Sequence, residues 1–131
     1  MFVLGIDPGL SRCGYGVVEQ SGRKAEAVAI GVIRTPAKAP TAERLAWIQE
    51  EFVKLIDEHK PDVVAIERVF FQVNARTAMG VAQVSGIAMA IGHSSGAEVV
   101  DYTPNQVKEA VAGWGSANKE QMQRMVQSLL G

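Results

Sequence analysis

A single cysteine, Cys13, stands in the 131 residues, so no disulfide can close within the chain, which suits a reducing cytoplasm. Histidine is nearly as scarce, and neither His59 nor His93 is placed by sequence to activate Cys13. The cysteine therefore reads as a small buried loop residue rather than a nucleophile. No apolar run approaches a membrane span, because Gly, Gln, Ser and His interrupt the most apolar region, 79–93. No basic segment followed by an apolar stretch and a cleavage site heads the chain, so no secretory signal is visible. Neither sign of charge dominates either: 13 basic and 14 acidic side chains leave a net charge of −1. That excludes the broad basic footprint of many nucleic-acid binders and leaves only a local groove for such a role. What remains, 47% apolar and 21% charged residues, reads as one globular domain over residues 1–131 with a real core.

The order of elements is legible from apolar spacing. Phe2–Ile6, Gly14–Glu19 and Ala25–Arg34 read as three strands on short connections, an antiparallel meander. Thr41 caps a helix whose core face is Leu45, Ile48, Phe52 and Ile56, and Pro61 stops it. His59 sits at its carboxyl end and His93 at the end of the next helix, where the helix dipole favours a cation. Val63–Ile66 is an unbroken apolar run and so a buried strand. The helix predicted over Asn74–Gly92 is small or apolar nearly all round. Its Ala78, Ala82, Gly86 and Ala90, four residues apart, fit either a central core helix or a subunit interface. Glu98–Tyr102 is a fifth strand, Thr103-Pro104-Asn105-Gln106 opens a helix as a capping box, and a last helix starts at Ser116. Strands and helices in this order predict an α/β layered domain with a mixed sheet.

Two acids stand out within that frame. Asp7 ends the first strand and is followed by Pro8 and Gly9, which force a turn and hold its carboxylate at the strand end. Asp-Pro-Gly is also a common turn without chemistry. Glu67, however, is delivered in the same way by the strand Val63–Ile66. If those two strands are neighbours, the acids meet at one edge of the sheet, and two such charges repel unless a cation lies between them. The bland alternative for Glu67 is a salt bridge to Arg68 or another surface base. Mg2+ suits the pair best, since it takes a few carboxylates plus water and phosphate oxygens. Two metal ions about 3.5–4 Å apart stabilise the attacking and leaving oxygens of phosphodiester hydrolysis. Phe70 and Phe71 follow in a predicted loop, where one could wedge into a base step and the other pack beneath the next helix. Lys119 opposes the dipole in the first turn of its helix, a placement suited to a bound phosphate. Gly113 and Gly115 would let DNA approach that backbone. Arg68 and Arg76 fit phosphate contacts or plain solvated charges.

Gly5-Ile6-Asp7-Pro8-Gly9, Tyr15-Gly16-Val17, Ala65-Ile66-Glu67-Arg68-Val69-Phe70, Asn74-Ala75, Gln106-Val107-Lys108, and Gly115-Ser116 with Lys119 together resemble the RuvC family of Holliday-junction resolvases. The resemblance runs from Gly5 to the final residue. It implies a ribonuclease-H-like fold: a five-stranded mixed sheet, three strands antiparallel and then two parallel, flanked by helices. It implies a structure-selective endonuclease that cuts four-way DNA symmetrically in recombination and repair, with Asp7 and Glu67 as catalytic metal ligands. It further implies Mg2+ as cofactor, two ions per complete site with Mn2+ as a substitute, and Phe70, Arg76, Lys108 and Lys119 as DNA-binding residues. A homodimer working beside the branch-migration motor of RuvA and RuvB in the cytoplasm, away from membranes, completes the expectation.

The family completes its site with two more acids on a further helix, and nothing acidic follows Glu120 here. The expectation is therefore a resolvase domain lacking its last helix, binding junctions weakly and cutting them poorly. No spacing argument makes Asp101, Glu109 or Glu120 a substitute. Three rivals stand beside this reading: a YqgF-like nuclease of the same fold, an actin-like kinase, and a non-catalytic junction-binding or dimerisation module. The kinase needs a second lobe that 131 residues cannot hold.

Overall fold

The computed structural model describes residues 1–21, 24–68 and 75–102. Along the chain run β1 (Phe2–Asp7), β2 (Arg12–Ser21), β3 (Lys24–Arg34), α1 (Thr41–His59), β4 (Val63–Glu67), α2 (Ala75–Ser94) and β5 (Glu98–Tyr102). They form one sheet in the order β3-β2-β1-β4-β5. The β1–β2 and β2–β3 pairs are antiparallel, and the β1–β4 and β4–β5 pairs parallel. The expected mixed sheet is thus present, and β5 has its expected bounds. The hairpin strands run longer than apolar spacing alone suggests, because β2 and β3 continue pairing into polar residues at both ends, with a register irregularity at Val17/Val18. The helices expected from Thr103 and from Ser116 lie outside the described residues.

Alternation decides which side of the sheet each residue takes. Leu4, Ile6, Val17, Ile33, Val64 and Ile66 line one side and are buried with Ile48, Phe52, Leu55 and Ile56 of α1 and Val84 and Ala88 of α2. The face expected of α1 is the buried one, with Leu45 packed at its margin. Burying a side chain the size of Phe52 contributes about 1.5–3 kcal/mol.

The start of α1 departs from expectation. Thr41 is already helical, Pro40 occupies the cap position, and no side-chain oxygen caps the first turn. The first helical bond runs instead from the Arg44 N–H to the Pro40 carbonyl, 3.1 Å. At the other end Lys60 adopts a left-handed conformation (φ 46°), and its N–H reaches the Ile56 carbonyl at 2.8 Å.

On α2 the structure separates the two alternatives left open by the sequence. Gly80, Val84, Ala88 and Gly92 face the sheet, whereas Ala82, Gly86 and Ala90 are exposed, with Met79 and Met89 beside them. A two-residue offset is about 200° around a helix, so the stripe read from the sequence points outward. The inward glycines set the spacing: a Cβ on Gly92 would lie 3.1 Å from methyls of both Val64 and Val99. No helix among the described residues is long and apolar enough to cross a membrane.

A candidate metal centre at the sheet edge

Parallel pairing of β1 and β4 sets Ile6 opposite Ile66, so Asp7 and Glu67 follow side by side at the carboxyl edge of the sheet. Because Leu4, Ile6, Val64 and Ile66 face the helical core, alternation turns both acids to the other side. The two carboxyls are close enough to share a hydrogen bond, and Glu67 is pushed up to about 7, by burial first, then by the charge of Asp7 and that shared bond. This is what two converging acids do without a counter-charge: one keeps its proton. A divalent cation relieves the same repulsion, and an all-oxygen donor pair suits Mg2+. Asp7 and Glu67 would hold it. No cluster of three or more His, Cys, Asp or Glu ligands occurs among the described residues.

The neighbouring charges are accounted for. Arg68 pairs with Asp101, through Nε at 2.9 Å and through Nη2, and not with Glu67. The hydrogen bond from Arg68 holds the Asp101 carboxyl below its usual range. Asp101 pairs with Ile66 across the sheet, so alternation sends it to the side opposite Glu67, and it does not join the two acids. Cys13, also near Asp7, is buried, and that burial pushes its thiol up to about 12. It stays a neutral packing group, as expected.

The Asp7 turn is tightly wound. A Cβ on Gly9 would overlap the Arg12 carbonyl oxygen, so only glycine fits there. Beyond it, Leu10 packs on Gly80 of α2. The Thr35 hydroxyl donates to the Leu10 carbonyl at 2.6 Å, and the Thr35 N–H to the Ser11 carbonyl at 3.3 Å. Arg44 of α1 donates through Nε to the Thr35 hydroxyl at 2.9 Å and through Nη2 to the Ser11 hydroxyl at 2.8 Å. Beside this loop lies a groove of about 580 Å³ whose walls include Arg12, Thr41, Arg44, Met79 and Gln83. Arg12 is an exposed residue on that wall.

Of the residues singled out in the sequence, the fold unites Asp7 and Glu67. Arg76 falls in the first turn of α2, its side chain outside the described residues. Phe70, Phe71, Lys108, Gly113, Gly115 and Lys119 also lie outside them. Sequence reading passed over Arg12, Thr35 and Arg44. Arg12 adjoins the Asp-Pro-Gly turn and could have been flagged by that proximity. The partners of Arg44 lie nine and 33 residues away, which no local pattern reveals.

Comparison with known proteins decides the lineage. The family model described as "Crossover junction endodeoxyribonuclease RuvC" matches residues 3–131. The chain belongs to the RuvC family. RuvC of Leifsonia xyli is 51% identical over 130 residues, covering 98% of this chain and 62% of that protein. RuvC of Natranaerobius thermophilus is 43% identical over 130 residues, covering 99% of this chain and 81% of its own. The chain thus spans from 62% to 81% of the length of these relatives. Among solved structures, T. thermophilus RuvC in complex with Holliday junction substrate superposes with a TM-score of 0.85 at 36% identity, over 100% of this chain and 80% of its own. The yeast mitochondrial resolvase Ydc2 has the same fold, with a TM-score of 0.70 at 17% identity over 98% of this chain and 62% of its own. The RuvC neighbours make the sheet ribonuclease-H-like, as expected. The family match sets aside the YqgF-like and kinase readings.

Proposed function

We propose that this RuvC-family chain carries the junction-cutting part of a Holliday-junction resolvase, hydrolysing phosphodiester bonds in four-way DNA with Mg2+. The observation that carries this reading is the Asp7–Glu67 pair, held by adjacent parallel strands at an open sheet edge. It is supported by similarity to T. thermophilus RuvC, whose structure holds a Holliday junction. Asp7 and Glu67 would hold the cation, with Glu67 in its ionised form. When bound, Mg2+ polarises the scissile phosphate and offsets charge on the attacking and leaving oxygens. Pro8 and Gly9 hold Asp7 at the edge, and the exposed Arg12 adds a positive charge beside the groove that would take a neighbouring phosphate.

We infer further that Phe70 wedges between bases and that Arg76, Lys108 and Lys119 meet DNA phosphates. A homodimer working in the cytoplasm with the RuvA–RuvB motor fits the outward Ala82, Gly86 and Ala90, which let a second helix approach closely. The deciding experiment, on the chain extended to the full length of its RuvC relatives, compares four-way, linear duplex and Y-shaped DNA, in Mg2+ and in EDTA. Junction-selective nicking that needs Mg2+ and vanishes in Asp7→Asn supports the resolvase. Junction-selective binding without any cutting would favour a non-catalytic module.

A further inference from the structure

Thr35 is the one buried polar side chain among the described residues, at 9% exposure, and its hydroxyl is fully engaged. It donates to the Leu10 carbonyl and accepts from Arg44, while the Thr35 backbone N–H donates to the Ser11 carbonyl. Arg44 spans the gap between Thr35 and the Ser11 hydroxyl with two prongs of one planar guanidinium. A planar fork of this kind fixes two acceptors at once, which a lysine ammonium on a flexible stem cannot do as rigidly. Three of these four bonds end on Leu10 or Ser11, in the loop that leaves Asp7. On its other flank that loop leans on α2 through Leu10 and Gly80. The loop is therefore clamped between both helices, and α1 supplies the polar half of the clamp.

We propose that Arg44 and Thr35 are positioning residues for the metal centre, holding the Leu10–Ser11 segment so that Asp7 presents its carboxylate in register with Glu67. Neither touches the cation or the substrate. The proposal rests on the metal-centre reading above and adds to it residues that no local motif marks. Outer partners that orient a metal ligand typically change metal affinity by about 10- to 100-fold when removed. The lower end is expected here, because Asp7 is also held by its ladder to Gly14.

The test is a Mn2+ titration of the full chain, following paramagnetic broadening of the Asp7 and Glu67 amide signals, with amide exchange of residues 9–12 read in parallel. Arg44→Lys and Thr35→Val should each bind Mn2+ about tenfold more weakly and exchange those amides faster. Thr35→Ser, which keeps the hydroxyl, should restore both to within about twofold of the parent. Ser11→Ala removes one prong at an exposed site, so it remains informative if Thr35→Val fails to fold, and it should weaken Mn2+ measurably. Folded Arg44→Lys and Ser11→Ala proteins that bind Mn2+ like the parent would overturn the clamp while leaving the metal centre intact. A parent chain without broadening at Asp7 and Glu67 would overturn the metal centre itself, and the clamp with it.

Discussion

A carboxyl that keeps its proton up to about pH 7 beside a second carboxyl ties this molecule to both pH and divalent ions. Glu67 is raised from its ordinary 4.5, so in the metal-free protein it favours the fold fully below that value. The contribution is lost as pH rises through about 7, because the folded state must then release a proton against burial and Asp7. Metal-free protein should accordingly melt at a lower temperature near pH 8 than near pH 5, and Glu67→Gln should flatten that slope. Differential scanning calorimetry in EDTA, repeated for the variant, checks this; an unchanged slope in Glu67→Gln would refute it. The cation competes with the same proton, so its affinity should climb with pH up to about 7 and level off above. Asp7→Asn removes the charge and the shared bond, and Glu67 should then titrate lower. In a full-length version of the protein, that variant should lose about a thousandfold or more in nicking rate, while junction affinity in a gel-shift assay stays nearly constant.

Turns and helix ends set how well these residues are held. Gly9→Ala forces backbone apart at the Arg12 carbonyl, so it should lower the melting temperature by several degrees and abolish cutting together. Lys60→Gly acts the other way: it relieves a left-handed residue costing about 1–2 kcal/mol, offset by the added freedom of glycine in the unfolded chain. A net gain of about 0.5 kcal/mol in urea unfolding is expected, with nicking unaffected. These ends were the less legible part of the sequence. The repeat Leu45, Ile48, Phe52, Ile56 identified the buried face of α1 because polar residues flank it. On α2 nearly every residue is small or apolar, so a four-residue spacing could not say which side meets the sheet, and core helix and subunit interface stayed open until the stripe was found facing outward. Thr41 resembled a cap because hydroxyl residues often are, yet Pro40 already held that place. The Arg44–Thr35 clamp joins positions whose meeting depends on tertiary packing alone.

For the molecule as a whole, the convergence of Asp7 and Glu67 was legible because each acid ends an apolar strand, and only the adjacency of those strands remained to be found. The outward stripe on α2 makes a separate statement. A Cβ on Gly86 would meet nothing within 4 Å, so Gly86→Arg should leave the fold and its melting temperature unaltered. Sedimentation equilibrium should nevertheless find the variant monomeric where the parent self-associates. Equal masses for parent and variant would remove α2 as the surface of self-association.

The neighbouring places of β1 and β4 in the sheet carry a consequence for the order of events during synthesis. The two acids are sixty positions apart in the polypeptide, with a hairpin and a helix made in between. A growing chain that has emerged only as far as α1 possesses one of them and cannot yet form the pair. The pair forms when the fourth strand slots in beside the first, one of the slow, long-range closures of such a topology. Until that strand is made, the sheet edge carries a lone acid and offers no pair of carboxylates to a divalent ion.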